Sequence, residues 1–169
     1  RFLTDVLGRY VEWVPVCPEV ELGMGVPREA IRLVGRTDAP RLLGVNSNID
    51  HSAAMARFSE QRVRELESLD LSGYVFKKNS PSCGMARVRV YTARGTPSAT
   101  GVGLFARVFM NHFPLTPVEE EGRLQDAVLR ENFIERVFCY RRWGDQEASG
   151  LGRHGLAAFH TRHKLLLMA

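Results

Sequence analysis

Apolar positions along the chain recur with two periods. From Ile49 to Leu69 they fall at Ala53, Ala54, Phe58, Val63, Leu66 and Leu69, which puts them on one face of a helix, with Asn48 or Asp50 as its N-cap. Phe2, Leu3, Val6 and Leu7 predict a short helix over 2–10, and Leu104 to His112 predicts another. Thr116-Pro117-Val118-Glu119 has the form of a capping box with proline at the first helical position, so a helix is expected to start there. Leu124 to Trp143 continues as helix with a break near Gln125. Residues Gly144 to Gly152 read as a polar linker, and Leu156 to Met168 as a final amphipathic helix. Short apolar runs of the strand type lie at Val11–Val16, Ala30–Val34, Arg41–Val45 and Tyr74–Lys77, the middle two flanking an Asp38-Ala39-Pro40 turn. Glu21–Pro27 is glycine-rich and irregular. Arg87–Tyr91 alternates basic and apolar residues, as a hairpin strand or an extended arm, and Thr92–Gly103 reads as a loop. Strand, loop, helix, strand is the order of an α/β domain with a mostly parallel sheet.

Composition narrows this picture modestly. Over 169 residues, hydrophobic content is 44% and charged content 25%, the balance of a soluble globular protein. No apolar run approaches the roughly 20 residues of a membrane span. Arg1-Phe2-Leu3-Thr4-Asp5 carries no leader pattern and already reads as folded-domain material, so residues upstream of it are expected. Three cysteines, Cys17, Cys83 and Cys139, make an odd count that favours a reducing cytoplasm over a disulfide framework. The net charge of +4 is compatible with nucleic acid without being diagnostic of it.

The chemistry is concentrated in two loops. Pro15-Val16-Cys17-Pro18-Glu19 follows Val11–Val16, and Ser80-Pro81-Ser82-Cys83-Gly84 follows Tyr74–Phe76. Loops beyond the carboxyl ends of strands are where open α/β sheets bind ligands, so two cysteines far apart in sequence can converge there. A thiolate is a nucleophile or a soft metal ligand. No C-x-x-C is present, no histidine stands at ligand spacing from either cysteine, and there is no compact ferredoxin run. Single cysteines on separate loops can still hold an iron–sulfur cluster, and three thiolates leave one iron open as a Lewis acid. Cys139 lies in a helical pattern where a small buried residue is expected.

The stretches Phe2-Leu3-Thr4-Asp5, Val14-Pro15-Val16-Cys17-Pro18-Glu19-Val20, Gly25-Val26-Pro27-Arg28 and Lys77-Lys78-Asn79-Ser80-Pro81-Ser82-Cys83-Gly84 resemble the thiouracil desulfidase (desulfurase) family over residues 1 to about 143. The resemblance implies a Rossmann-like α/β sheet flanked by helices and a [4Fe–4S] cluster held by three cysteines. Cys17 and Cys83 match two of these, and the third stands in a motif upstream of residue 1. Residues 153–169, with Phe159-His160-Thr161-Arg162-His163-Lys164, resemble the first helix of an all-α C-terminal domain fused behind such enzymes, residues 144–152 being the linker. The fused versions resemble enzymes acting on thiolated bases in tRNA, chiefly 4-thiouridine. Arg141, Arg142, Arg153, Arg162 and Lys164 would suit phosphate contact, and the same residues, with His160 and His163, equally suit a solvated helix face.

Removing sulfur from a thiocarbonyl requires holding the sulfur, activating water and moving protons. Glu19, two residues after Cys17, is the acid/base candidate, and a loop-capping carboxylate is the other role open to it. Ser80 is the candidate for proton relay or a hydrogen bond to the base, with Ser82 beside it. Arg28 either contacts phosphate or orders the Cys17 loop. Lys77 and Lys78 guide a polyanion toward the second loop or are solvated at a strand end. The expected substrate is a thiolated pyrimidine base or nucleoside, with tRNA as the macromolecular partner. A non-catalytic RNA-binding module with structural cysteines, or a metal-free cysteine-nucleophile enzyme, are the alternatives.

Overall fold

A tight turn between two five-residue strands sets the first sheet. Ile31–Gly35 (β1) and Pro40–Gly44 (β2) are joined by four residues, a connection short enough only for antiparallel pairing, with Leu33 opposite Leu42. The computed structural model describes residues 2–92, 94–150 and 152–168. β1 pairs in parallel with Val88–Tyr91 (β4), which in turn pairs antiparallel with Pro97–Gly101 (β5), giving the order β2-β1-β4-β5. Tyr74–Phe76 (β3) and Val118–Glu120 (β6) form a separate parallel pair, Tyr74 beside Val118 and Phe76 beside Glu120. The architecture is a sheet flanked by helices as expected. Its larger sheet is mixed rather than mostly parallel, because two of its three pairings are hairpins.

Two helices close the core over these strands. α2, Ser52–Glu67, buries Met55, Ser59, Val63 and Leu66 at helical spacing, and α3, Leu104–His112, buries Phe105, Ala106 and Phe109. Phe109 meets Tyr74 at a ring separation of 4.2 Å, Phe113 at 4.8 Å and Phe76 edge-on at 5.5 Å. The helix over 49–69 is thus observed at 52–67, and the helix over 104–112 at those bounds.

Four expectations need correction. Val11–Val16 forms no strand: among the described residues none pairs with it, and a strand without a neighbour has no ladder for its backbone groups; Trp13 and Val14 are exposed. The stretch 2–10 is helical in a wider and then a tighter form, a π-type turn over Phe2–Val6 and a 3-10 turn over Leu7–Arg9. Thr116–Glu119 opens no helix. Pairing with β3 makes Val118–Glu120 a strand, so sheet partnership overrides a local capping pattern. Residues 92–103 are not all loop, since β5 lies within them; Ala93 falls outside the described residues.

After a 3-10 turn at Arg123–Gln125, where the break was expected, the real cap is Asp126: its carboxylate accepts from the N–H groups of Val128 and Leu129 and starts α4, Ala127–Ala148. Asp126→Ala should lower stability by about 1 kcal/mol, a fall of about 2–4 °C in thermal midpoint followed by circular dichroism. α4 continues through Gly144 to Ala148, so the first half of the polar stretch 144–152 is helical. α5, Arg153–Leu167, folds back on α4. Trp143 and Phe159 meet edge-to-face at 5.1 Å, and buried His163 bridges the helices. Its Nδ1 donates to the Phe159 carbonyl (2.9 Å), which leaves Nε2 to accept from Arg142 (2.9 Å). No described helix is long and apolar enough to cross a membrane.

Candidate active site

Cys17 is the N-cap of a single helical turn, α1, Pro18–Glu21, with proline at the first position where its missing N–H is harmless. Two side chains fix Glu19, the second residue of that turn. Arg28 grips Oε2 with Nε at 2.7 Å and Nη2 at 2.6 Å, while Ser82 Oγ donates to Oε1 at 2.6 Å. The first cysteine loop is thereby tied to the second. Within the second loop Ser80 Oγ accepts from the N–H of Cys83 (3.1 Å) and lies 2.9 Å from Ser82 Oγ and 3.4 Å from Glu19. A hydroxyl has one proton to give, and Ser82 gives its proton to Glu19. Ser80 can then donate to Ser82, which makes a chain Ser80–Ser82–Glu19. Cys83 Sγ sits 3.6 Å from Ser82 Oγ.

Helix α3 holds this loop from behind. Gly103 N–H donates to Gly84 O (2.8 Å), Leu104 N–H to Pro81 O (3.1 Å) and Ala106 N–H to Ser82 O (3.1 Å). The free N–H groups of a helix start are satisfied by the carbonyls of the Cys83 loop, with no side-chain cap. Gly103 allows the approach: a Cβ there would lie 2.4 Å from Ser82 O.

Five residues singled out in the sequence, Glu19, Ser80, Ser82, Arg28 and Cys83, therefore form one hydrogen-bonded cluster, with Cys17 at its edge. Arg28 is held firmly in its charged form, chiefly by its hydrogen bond to Glu19, with Cys17 adding to the effect. Cys17 is exposed and Cys83 buried. Burial pushes the Cys83 thiol up to about 12, and the nearby Glu19 and Cys17 push the same way. A thiol whose pKa is higher folded than unfolded contributes stability below the ordinary thiol value and loses it as pH rises toward the folded one. In urea melts of the metal-free protein between pH 9 and about 12, the midpoint should therefore fall more steeply than in Cys83→Ala.

Lys77 and Lys78 stand at the end of β3, and both are tied to Glu121: Lys77 Nζ pairs with Oε1 at 2.8 Å, and the Lys78 N–H donates to Oε2 at 2.7 Å. Glu121 is not singled out by the sequence, because the capping-box pattern of Thr116–Glu119 predicts a helix start and not a strand end there. Gly103 was passed over as loop, since nothing in its surroundings signals a backbone contact with residue 82. Of the basic set, Arg141 pairs with Asp70 (2.6 Å) and Asp145 (3.0 Å), and Arg142 with His163; Arg153, Arg162 and Lys164 are exposed on α5. Cys139 lies on α4, half-buried, its thiol raised by burial.

A cavity of about 760 Å³ is bordered by Val16 and Lys77 and walled by Leu66, Val75, Phe133 and Val137, with none of the cluster residues in its lining. It runs along the edge of β3 that has no strand partner among the described residues. Tyr74 N–H and Phe76 O face β6, which turns the N–H and C=O of Val75 to the opposite side. Among the described residues no group of three His, Cys, Asp or Glu side chains could hold a metal ion. The donors present are two thiols with a guanidinium nearby, a soft and charge-balancing pair suited to two corners of an iron–sulfur cluster.

A family model described as 2-thiouracil desulfurase matches residues 1–121. Among solved structures, the [4Fe-4S]-dependent thiouracil desulfidase TudS matches with a TM-score of 0.57 and 25% identity, over 76% of this chain and 80% of that one. No curated protein gives a significant match.

Proposed function

This chain belongs to the 2-thiouracil desulfurase family, and from that premise we propose that it hydrolyses the thiocarbonyl of thiolated uracil bases, 4-thiouridine in tRNA among them, in the cytoplasm. The observation that carries the proposal is the Glu19–Ser82 bond, which ties an acid/base carboxylate to both cysteine loops at once. The net reaction takes one water and one thiocarbonyl to a carbonyl and hydrogen sulfide, with no oxidant or reductant. Cys17 and Cys83 would hold the [4Fe–4S] cluster, whose iron supplies a Lewis acid suited to sulfur when bound. The resemblance implies a third cysteine ligand, and the edge of β3 that no described strand covers leaves room for a strand to carry it.

Glu19 receives the proton of water and returns it to the departing sulfur or the ring. Ser82 and Ser80 pass protons to Glu19 along their hydroxyl chain; Ser82 is fully buried, so the base-binding role expected of it falls to the partly exposed Ser80. Arg28 fixes the rotamer of Glu19, and this ordering of the Cys17 loop is the role its geometry supports. Lys77 and Lys78 border the entrance. Arg162 and Lys164, with Arg153, present cations to an RNA phosphate, whereas Arg141 and Arg142 are already engaged within the fold. A raised thiol at Cys83 makes a poor metal-free nucleophile at neutral pH, which weighs against Cys83 as the nucleophile of the metal-free alternative.

The test uses the full-length protein, reconstituted anaerobically with iron and sulfide. Loss of thiocarbonyl absorbance with stoichiometric sulfide release, from 2-thiouracil and from tRNA containing 4-thiouridine, is the expected result, and Cys17→Ser or Cys83→Ser should remove both cluster and turnover. A cluster-bearing protein that leaves both substrates untouched would overturn it.

A further inference from the structure

α1 is a single turn, too short to hold its own orientation, because a helix nucleus fixes several dihedral angles for very few hydrogen bonds. Whatever aims Cys17 must therefore reach it from outside. Two carboxylates of the turn itself are the handles for this, on nearly opposite sides of it. Glu19 faces Arg28 and Ser82. Glu21 folds back to the start of the turn, where its Oε1 accepts the N–H of Cys17 at 2.8 Å. The usual reach-back comes from the third residue of a helix; here it comes from the fourth. Glu21 is partly exposed, and an exposed carboxylate at that distance is free to turn away. Its second oxygen is anchored: Oε2 lies 3.0 Å from Nε of Arg62. That Nε is buried and its N–H is out of line with the carboxylate, so the contact is an ion pair rather than a hydrogen bond.

Arg62 is well placed to serve as a fixed point. It sits in α2 beside Val63, one of the residues that pin the helix into the core, and only about a fifth of its side chain is exposed. Its Nη1 is held by Glu65 Oε2 at 3.1 Å, and Glu65 in turn accepts from Gln61 Nε2 at 2.8 Å. A continuous path thus runs from the rigid middle of α2 through Arg62 and Glu21 to the backbone of Cys17. The sequence carries this as Cys17-Pro18-Glu19-Val20-Glu21, whose second glutamate had no role in the hydrolytic reading.

We infer that Arg62 is a positioning residue for Cys17: it holds Glu21 against the Cys17 N–H and so sets where the sulfur of residue 17 stands relative to Glu19 and Cys83. The inference rests on the reading of Cys17 as a cluster ligand, and it concerns how that ligand is aimed. Supporting groups that orient a ligand from behind are as much a part of a metal site as the ligands.

The test is amide hydrogen exchange at Cys17, read by ¹⁵N NMR on the metal-free chain. In Arg62→Ala the Cys17 amide should exchange about tenfold faster, the size expected for loss of one hydrogen bond, while core amides such as Leu33 and Val90 keep their rates. Arg62→Lys, which restores a cation at that place, should recover part of the protection. Glu21→Gln, which keeps the shape and removes the charge, should match Arg62→Ala. Unchanged exchange at Cys17 in Arg62→Ala or Glu21→Gln would overturn the inference, and so would uniform acceleration across the core, which marks a general stabiliser. Exchange needs neither substrate nor cluster, so failure here leaves the desulfidase proposal standing, and failure of the turnover assay leaves this one standing.

Discussion

Glu19→Gln should lower kcat/KM for a thiolated pyrimidine by about 10²–10⁴-fold, the range expected for loss of a general acid/base group, while the visible absorbance of the reconstituted cluster stays unchanged. Glutamine preserves the length and planarity of the side chain. Its one oxygen can still meet the Arg28 guanidinium, which gives only donors, and its amide N–H₂ then faces Ser82. Ser82 switches from donor to acceptor, so the two loops remain joined although the proton path is lost. Glu19→Ala removes the joint as well as the proton path and should abolish turnover. The comparison assigns the role. If the glutamine variant loads no cluster, the Glu19 carboxylate is needed to assemble the site, and the loss of turnover no longer reports proton transfer. If it loads normally and turns over normally, the acid/base reading of Glu19 fails.

How much of this was legible beforehand depends on whether the information is local. The period of Met55 to Leu66 and of Phe105 to Phe109 is written in the chain, because burying one face is the condition for those helices to form. The hairpin of Ile31–Gly44 is legible for the same reason, its turn residues lying between two apolar runs. The residues Glu19, Ser80, Ser82, Arg28 and Cys83 could be singled out because both cysteine loops are proline-punctuated and polar and follow an apolar run. What resisted reading was every feature decided at a distance. Val11–Val16 has the composition of a strand and no strand beside it. Val118–Glu120 has the composition of a helix start and a strand beside it. Arg141 looks like a free cation until α4 brings it to Asp70. Gly103 is silent in the sequence, because its requirement is the closeness of a carbonyl twenty-one residues earlier in the chain.

That closeness makes Gly103 the point where packing and chemistry meet. Its backbone, at φ −60° and ψ 146°, suits any residue, so conformation does not demand glycine there. Space does. A Cβ would stand 2.4 Å from Ser82 O, 2.6 Å from Ser82 C and 2.9 Å from Cys83 N, all backbone atoms with no rotamer to yield. Gly103→Ala must therefore push α3 away from residues 81–84 and strain the three N–H bonds that hold that loop. The expected cost is about 1–3 kcal/mol in stability, as for overpacking a filled core. Because Ser82 and Cys83 move with the loop, turnover should fall about 100-fold or more, the usual consequence of displacing a reacting group by about 1 Å. Gly144→Ala is the matched control. It lies inside α4 with nothing within 4 Å of its Cβ position. There alanine should raise stability by about 0.5–1 kcal/mol and leave turnover unchanged. Melting curves and turnover measured on both variants decide the matter. A Gly103→Ala protein with normal activity would mean that the Cys83 loop keeps its geometry without α3, and that the helix start serves the fold alone.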